Sequence, residues 1–482
     1  MTPLPRNLRP KTLEEALGVI EQLLRIIAEQ QTQIAALQAQ NVKLQARVAE
    51  LEARLGQNSQ NSSRPPSSDP PTVARASRAP SGRKPGGQPG HEGHQRMVLP
   101  EDQVDTFVPV KPRRCRRCGG RLFGTDAAPY RHQVTELPPV RPCVTEYQLH
   151  TLGCERCGVT TTAPLPTGVP RGAFGPRLQA LVAVCTGVYH LSRRTTVGLL
   201  ADLWVVEVAL GSVSTCEAAV SAALEGPVAE AHAYAQEQEV AHADETGWWE
   251  RHQRAWLWVL ATALVTVFMV HGRRSAEAAR ALLGATHAIL VTDRYGAYGT
   301  WAVERRQLCW AHLRRDFRAC TERGSEAARL GRAMLKDVAR MFARWHRVRD
   351  GTLTHRRFWR EMRPLRHRVE RRLQRGTHCA DAKTAATCRE LVKVAPALWT
   401  FIDVPGVEPT NNAAERELRQ AVLWRKRSFG AHSAAGSSFA ERMLTVATTL
   451  KQQRRNVVDY VTQASLASLR ARPVPSLLPV TR

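Results

Sequence analysis

From residue 240 the apolar residues come in short runs separated by turn-formers, the pattern of strands rather than of a long helix. Val240-Ala241-His242-Ala243-Asp244-Glu245-Thr246-Gly247 reads as a strand ending in acids. Trp256 to Leu260 and Leu264 to Val270 make a hairpin-like pair, Ser275 to Leu283 has a helical pattern, and Ala288 to Thr292 is a strand that delivers Asp293. This β, β, β, α, β order leaves one acid on the first strand and one after the fourth. A carboxylate at the end of a central strand has its direction set by the strand, so it is well placed to hold a metal. Tyr295-Gly296-Ala297-Tyr298 reads as a turn into a helix. Leu308-Cys309-Trp310 reads as a further short strand, leading into the basic segment His312 to Phe317.

The totals agree with a polyanionic partner. The chain has 482 residues, 69 Lys and Arg against 43 Asp and Glu, and a net charge of +26. Its isoelectric point is near 10.5. Nucleic acid is the commonest partner of such a surface. The length calls for several domains. Met1-Thr2-Pro3-Leu4-Pro5 lacks the apolar stretch of a secretory signal, so a cytoplasmic protein is expected. The longest apolar run, Trp256 to Val270, is too short to span a bilayer. Eleven cysteines in such a chain point to thiols and metal ligands rather than a disulfide framework.

Residues 13–55 carry heptads. Leu13, Ile20, Ile27, Ile34, Asn41, Val48 and Leu55 take position a; Ala16, Leu23, Gln30, Leu37, Leu44 and Leu51 take position d. Branched residues at a, Leu at d and one Asn at a favour a parallel two-stranded coil, with Arg47 and Glu52 able to pair between chains. A helix packed on its own protein is the alternative. Gly56 ends the helix. Gln57 to Pro100, rich in Ser, Pro, Gly and Asn, cannot bury a core and reads as a flexible linker. Its Arg64, Arg75, Arg78, Arg83 and Lys84 are either solvated or in contact with phosphates.

Cys115-Arg-Arg-Cys118 and Cys154-Glu-Arg-Cys157 are a strong zinc signal. Each pair forms a knuckle, and two knuckles complete a tetrahedral four-thiolate shell with no open position, hence a structural zinc. Strands between the pairs, Tyr130 to Leu152, would make a zinc ribbon. The redox reading of CxxC is the weaker one, because the pairs come twice and outside a βαβ pattern.

Residues 171–226 are helical by pattern. Leu178, Leu181, Val182 and Cys185 share a face, Ser192 caps a second helix ending near Trp204, and Ser212 or Ser214 begins a third. Three short helices fit a helix-turn-helix unit, or equally any small helical bundle. Residues 318–399 interrupt the strand region with basic helices: from 340 to 375 there are thirteen Arg and three acids. Contact with DNA is favoured there over a solvated face. Asn412 reads as an N-cap with Glu415 at capping-box spacing. Glu417 lies about 200° from Glu415 around the helix and faces away. Trp424 to Gly430 reads as a cationic turn, Ser438 to Gln453 as a core helix, and the tail after Leu469 as loose. The strand order is that of a ribonuclease H-like core.

At this point the motifs resemble those of the DDE transposases of bacterial insertion sequences, specifically the insertion sequence 66 family. The matching pieces are Asn61 to Asp69, Gly86 to His91, the CxxC pairs, Ala243-Asp244-Glu245-Thr246, Asp293-Arg294-Tyr295-Gly296-Ala297-Tyr298, Cys309 to Phe317 and Asn411-Asn412-Ala413-Ala414-Glu415-Arg416. The chain departs from the family pattern at Thr410, Arg294 and Trp424-Arg425-Lys426-Arg427. The resemblance implies a catalytic triad of Asp244, Asp293 and Glu415, 49 and 122 residues apart. It implies two Mg²⁺ or Mn²⁺ per active site, with one structural Zn²⁺ on Cys115, Cys118, Cys154 and Cys157. His312, Arg314, Arg315, Arg416, Arg419, Arg425, Lys426 and Arg427 are the candidates for contact with DNA.

The expectation is therefore a multidomain α/β chain. It runs as a coiled coil (12–56), a linker (57–100), a zinc ribbon (101–170), a helix-turn-helix-like unit (171–228), a ribonuclease H-like core (229–318 and 401–456) around a helical insertion (319–400), and a tail (457–482). Its partners would be double-stranded DNA, both transposon ends and target, a second copy through the coiled coil, and small accessory proteins of the same element, with no membrane. It would be cytoplasmic and associated with a bacterial nucleoid. It would nick transposon ends and join the 3′-hydroxyl to target DNA. The alternatives are a catalytically silent DNA-binding regulator and a metal-dependent nuclease without strand transfer.

Overall fold

The structure, a computed structural model, describes residues 12–58, 62–64, 69 and 97–479. Gly86 to His91 and the linker cations Arg75, Arg78, Arg83 and Lys84 lie outside the described residues. The chain forms two compact units, Met1–Ala76 with Ala311–Lys393, and Ser77–Trp310 with Val394–Arg482.

In chain order the first element is α1 (Leu13–Leu55), a single helix as the heptads require. Its a and d residues are uncovered: Ile20 is 51% exposed and Leu37 63%. Then come β1 (Thr151–Gly153) and β2 (Thr160–Thr162), and the helices α2 (Pro176–Gly187), α3 (Arg193–Trp204), α4 (Leu210–Ala223) and α5 (Glu225–Gln236). The hairpin β3 (Val240–Glu250) and β4 (Gln253–Ala261) is followed by β5 (Thr266–His271), α6 (Ala276–Leu283), β6 (Ile289–Thr292) and β7 (Arg306–Leu308). Helices α7 (Trp310–Thr321), α8 (Ser325–Arg349), α9 (His355–Gly376) and α10 (Ala382–Lys393) follow. Residues 311–393 fall in the first unit, so the inserted segment starts before residue 319 and ends before residue 400, the bounds expected from the sequence. A short α11 (Thr400–Asp403) precedes α12 (Asn412–Ser428), α13 (Ala434–Gln452) and α14 (Val457–Leu469).

In the second unit the sheet order is β5-β4-β3-β6-β7. β3 pairs antiparallel with β4 and parallel with β6, and β6 parallel with β7. Alternation along β3 sends Ala241 and Ala243 to one face, where they meet Trp258, Leu260, Tyr298 and helices α2, α4 and α13. Trp248 goes to the other face, where Leu257 and Val259 meet Ala414, Leu418 and Ala421 of α12. Burying both faces explains why β3 and β4 read as apolar runs. Helix α13 seals the free edge of β5. Thr445 Oγ1 accepts from Phe268 N at 3.0 Å, Thr449 Oγ1 from Thr266 N at 3.1 Å, and Glu441 Oε1 from Val270 N. Three residues at i, i+4 and i+8 thus satisfy edge donors that would otherwise invite another strand.

Burial pushes the Glu441 carboxyl up to about 7. Its folded-state affinity for a proton then exceeds its unfolded one, so its contribution is favourable below about pH 4.5 and is lost as pH rises towards 7. Glu441→Gln keeps the acceptor for Val270 and removes the charge. The variant should be more stable than the parent at pH 8, by about 3 kcal/mol at most, and equal to it near pH 4.5. Urea midpoints at the two pH values measure this; an equal gain at both would show that the carboxyl is not the titrating group.

The fold corrects several expectations. β3 runs through Glu250, so its acids sit in mid-strand; the turn is Arg251-His252, with φ of 49° and 63°. The strand expected at Leu308–Trp310 is Arg306–Leu308, and Trp310 opens α7. Tyr295 to Tyr298 leads only into a 3₁₀ turn, Gly296–Thr300. The third helix starts at Leu210 rather than at Ser212 or Ser214. Of the strands expected over 130–152 only β1 forms at the end, because the segment is exposed and has nothing to pack against. Residues 424–428 are not a turn but the last turn of α12, where Arg425, Lys426 and Arg427 complement the helix dipole. The tail is not loose. Leu477 is fully buried, and the Pro475 carbonyl accepts from the Tyr460 hydroxyl at 2.7 Å.

In the first unit, Met334, Val338 and Met341 of α8 and Phe358, Met362, Leu365, Val369 and Leu373 of α9 are buried, at helical spacing. Gly331 lets α8 approach α7 closely, since a Cβ there would stand 2.7 Å from the Phe317 carbonyl oxygen. Ser62 is buried, and Ser63 Oγ donates to Glu322 at 2.9 Å, so this stretch beyond α1 is held by the unit.

The ends of the insertion are tied together within the second unit. Trp310 N donates to Pro409 O at 2.8 Å, Trp310 Nε1 to Leu398 O at 2.7 Å, and the Trp310 and Trp399 rings lie 4.9 Å apart.

Candidate active site and nucleic-acid interface

The parallel register of β3 and β6 matches His242 with Val291. Two residues further along each strand stand Asp244 and Asp293, so the register brings the two acids side by side. Asp293 sits just past the strand end, and its Oδ1 accepts from Tyr295 N at 2.8 Å, an Asx-turn that fixes the carboxylate. Asp244 Oδ1 accepts from Glu245 N at 2.8 Å.

Glu415 arrives from α12. Asn411 Nδ2 donates to the Ala243 carbonyl at 2.8 Å, its Oδ1 lies 3.3 Å from His242 Nδ1, and its N–H points at Cys309 Sγ at 3.2 Å. Asn411 is fully buried. One turn on, Glu415 N donates to Asn411 O at 3.1 Å. The start of α12 is therefore pinned to the residue before Asp244. The capping box expected from Asn412 is absent: Asn412 is already helical, and Asn411 holds the cap position with its side chain turned to β3. Glu417, half-buried, has its carboxyl raised by desolvation and is not among the groups that act on Asp244.

The proton affinity of Asp244 is raised well above the carboxylate range, first by burial, then by the charges of Glu245, Asp293 and Glu415. Among the described residues neither Asp244 nor Asp293 has an ion-pair partner. Burial and like charge at Asp244 suit a cation, and carboxylate oxygens suit a hard divalent one. Arg274 and Arg306 offset part of the charge at Asp293, and the three carboxylates do not all come within 4.8 Å of one another.

Glu245 is the residue whose role the pattern did not disclose. It points to the opposite face from Asp244 and its side chain is 1% exposed. Arg274 Nε and Nη2 donate to its Oε1 at 2.8 and 2.6 Å, and the Tyr298 hydroxyl donates to Oε2 at 2.5 Å. Arg274 lies 3.8 Å from the centroid of the Tyr295 ring, whose hydroxyl donates to Arg274 O at 2.6 Å. Glu245 thereby ties β3 to the turn that follows Asp293. The signal was the repeated Tyr295 and Tyr298 flanking that turn.

Of the cationic candidates, Arg416, Arg419, Lys426 and Arg427 are exposed along α12. Arg425 is half-buried and donates to the Gly247 carbonyl and, at 3.3 Å, to Thr246 Oγ1. His312, Arg314 and Arg315 stand on the first turns of α7, in the first unit.

Both cysteine pairs form knuckles. Cys115 N donates to Gly120 O and Gly119 N to Cys115 O, each at 2.9 Å; Cys154 N donates to Val159 O at 2.9 Å and Gly158 N to Cys154 O at 2.8 Å. Gly119 and Gly158 take φ of 72° and 75°, which only glycine adopts freely. Backbone N–H groups of Cys118 and Arg117 lower the Cys115 thiol, and those of Arg156 and Cys157 lower Cys154. The structure does not bring three or more of these sulfurs within 4.8 Å of one another.

Among the described residues no helix is long and apolar enough to cross a membrane. No curated protein matches the chain. A family of unknown function (DUF6444) matches residues 2–97. The model of the transposase IS66 family matches residues 171–438, more than half of the chain and the whole span that carries the three carboxylates. The chain belongs to the IS66 family of transposases.

Proposed function

We propose that this chain nicks transposon ends and joins the freed 3′-hydroxyl to target DNA, with Asp244, Asp293 and Glu415 as its catalytic carboxylates. The observation that supports the reading is that Asp293 and Glu415, carried by separate elements, both act on the buried Asp244. Of the three acids, two are set by the β3–β6 register and one by the Asn411 anchor. Three antiparallel strands, β5-β4-β3, continued by the parallel β6 and β7, support the reading of a ribonuclease H-like core.

Two divalent cations, Mg²⁺ or Mn²⁺, held by such carboxylates would activate the attacking oxygen and stabilise the leaving one. The chain supplies the rest. β3 and the Asx-turn at Asp293 fix two carboxylates before substrate arrives. Partial burial strengthens their hold on cations by excluding water. Arg416, Arg419, Lys426 and Arg427 offer exposed positive charge for the DNA backbone.

The test is purified protein with Mg²⁺ and a duplex carrying the element's terminal repeat, read for a nick and for joined product. Nicking without joining would leave a nuclease, and binding without either would leave a silent regulator.

Two assemblies complete the reading. The uncovered a and d stripe of α1 supports a parallel dimer, and the two preformed knuckles support one structural zinc on Cys115, Cys118, Cys154 and Cys157. Light scattering that gives a monomer mass would remove the first. Metal analysis of purified protein with less than one zinc per chain would remove the second. Small proteins of the same element and a place on the bacterial nucleoid fit a cytoplasmic enzyme of this kind.

A further inference from the structure

The first unit carries a cationic face that the carboxylate chemistry does not use. Arg329, Arg332, Lys336 and Arg340 follow one another on α8 at i, i+3, i+7 and i+11, all exposed. With Arg372 of α9 they line a cleft of about 350 Å³.

Ordinary solvated helix faces match their cations with acids one turn away. The same helices do this elsewhere: Arg357 Nε meets Glu361 at 3.0 Å, Arg344 meets Glu361 at 3.1 Å, and Arg366 meets Glu370 at 2.9 Å. The cleft does not. Among the described residues Arg329, Arg332 and Lys336 have no ion-pair or hydrogen-bond partner for their side chains. The acid at its edge, Asp337, is fully buried and already taken. Arg372 Nη1 donates to it, Arg340 Nη1 stands at 3.3 Å and Arg368 Nη1 at 3.6 Å. Arg372 also donates to Ala333 O at 3.0 Å. Asp337 thus orients Arg340 and Arg372 at one end of the cleft without neutralising them, while three unmatched cations continue the row. Like charges one turn apart destabilise a helix, so the row calls for an anion with repeated charge.

The length of the row identifies that anion. Eleven residues of helix rise about 16 Å. One strand of duplex DNA places a phosphate every 3.4 Å or so along its axis, so about five phosphates lie opposite the row. A mononucleotide or a free phosphate would leave most of the charge unmatched.

We propose that this face of α8 is a binding site for the phosphodiester backbone of duplex DNA. The proposal rests on the reading of the chain as an enzyme of DNA, and assigns part of its grip to the insertion. It carries no sequence preference, because backbone contacts position and base contacts specify.

The experiment measures affinity of the full-length protein for a 30-base-pair duplex of arbitrary sequence (about three helical turns), without divalent metal, across salt concentrations. The slope of log K against log salt becomes shallower by about 0.9 for each phosphate that the protein ceases to neutralise. Arg329→Gln/Arg332→Gln/Lys336→Gln should make the slope shallower by about 2 to 3. The charge-keeping Arg329→Lys/Arg332→Lys/Lys336→Arg should retain it, which separates charge from folding. Arg356→Gln/Arg360→Gln/Arg363→Gln, exposed arginines on α9 outside the cleft, removes the same net charge and should change the slope much less. An unchanged slope in the first variant, or an equal fall in the third, overturns the proposal. Because no cleavage is read, failure of the strand-transfer reading leaves this result standing, and the reverse holds as well.

Discussion

Asp293→Asn should leave DNA binding intact and lower nicking and joining by about 10³-fold or more, roughly 4 kcal/mol of barrier. Asn keeps the shape of Asp and can still accept from Tyr295 N, so the Asx-turn and the strand end survive. What goes is one negative charge, and with it the hold that the proposed triad would have on a divalent cation. Asp244→Asn should match it in activity but differ in stability. Asp244 is buried among Glu245, Asp293 and Glu415, and its charge opposes folding. The amide should therefore melt at a higher temperature than the parent in metal-free buffer, with the gap closing when Mg²⁺ is added, since Mg²⁺ binds and stabilises only the parent. A single-turnover cleavage assay and a melting curve with and without Mg²⁺ decide this. Wild-type rates in either variant would remove the triad; a lower metal-free melting temperature for Asp244→Asn would show that the repulsion is compensated in a way the geometry does not reveal.

Glu245→Ala should cost about 3 kcal/mol of stability. The substitution strands the Tyr298 hydroxyl in the core and leaves Arg274, whose side chain is 36% exposed, without its carboxylate. Glu245→Gln, which keeps the shape and one acceptor, should cost less. Tyr298→Phe alone should cost about 1 kcal/mol, the ordinary worth of one hydrogen bond. Added to Glu245→Ala it should cost little more, because the partner is already gone. Urea midpoints of the four proteins give the cycle. A loss below about 1 kcal/mol for Glu245→Ala would show that water replaces the carboxylate, making the clamp dispensable.

Periodicity carried the long-range plan of this chain and failed at its joints. The heptads of α1, the knuckle glycines Gly119 and Gly158, and the strand–helix order from 240 to 293 were legible because each rests on a repeating or local rule. The β3–β4 turn was not, since Arg251-His252 takes two positive φ values without the Asn or Gly that normally advertises them. That hid the last three residues of β3, so Asp244 looks like a strand end when only the residue pattern is considered. The role of Asn411 was hidden for another reason. As a cap former it should bond its own helix, whereas a strand carbonyl far away in sequence competes for the same amide and wins. Glu245 illustrates the period of two: its neighbour Asp244 has the opposite face, so adjacent acids have unrelated jobs. The packed tail around Leu477 depends on a groove that no local pattern in 470–482 announces.

The tied ends of the insertion bear on how such enzymes diversify. Trp310 and the segment around Leu398 and Pro409 are held to each other by hydrogen bonds that do not involve residues 311–393. For a flexible excursion between fixed ends, each doubling of length costs only about 0.6 kcal/mol. The stretch between the second and third acids is therefore nearly free to grow, shrink or be exchanged while the carboxylates stay in place. Sequence separation between Asp293 and Glu415 is then a record of what has been inserted, and scanning genomes for a fixed spacing would discard true relatives. In this chain the asparagine four residues before Glu415 is bonded to β3 and not to the insertion, which makes it a landmark independent of that length.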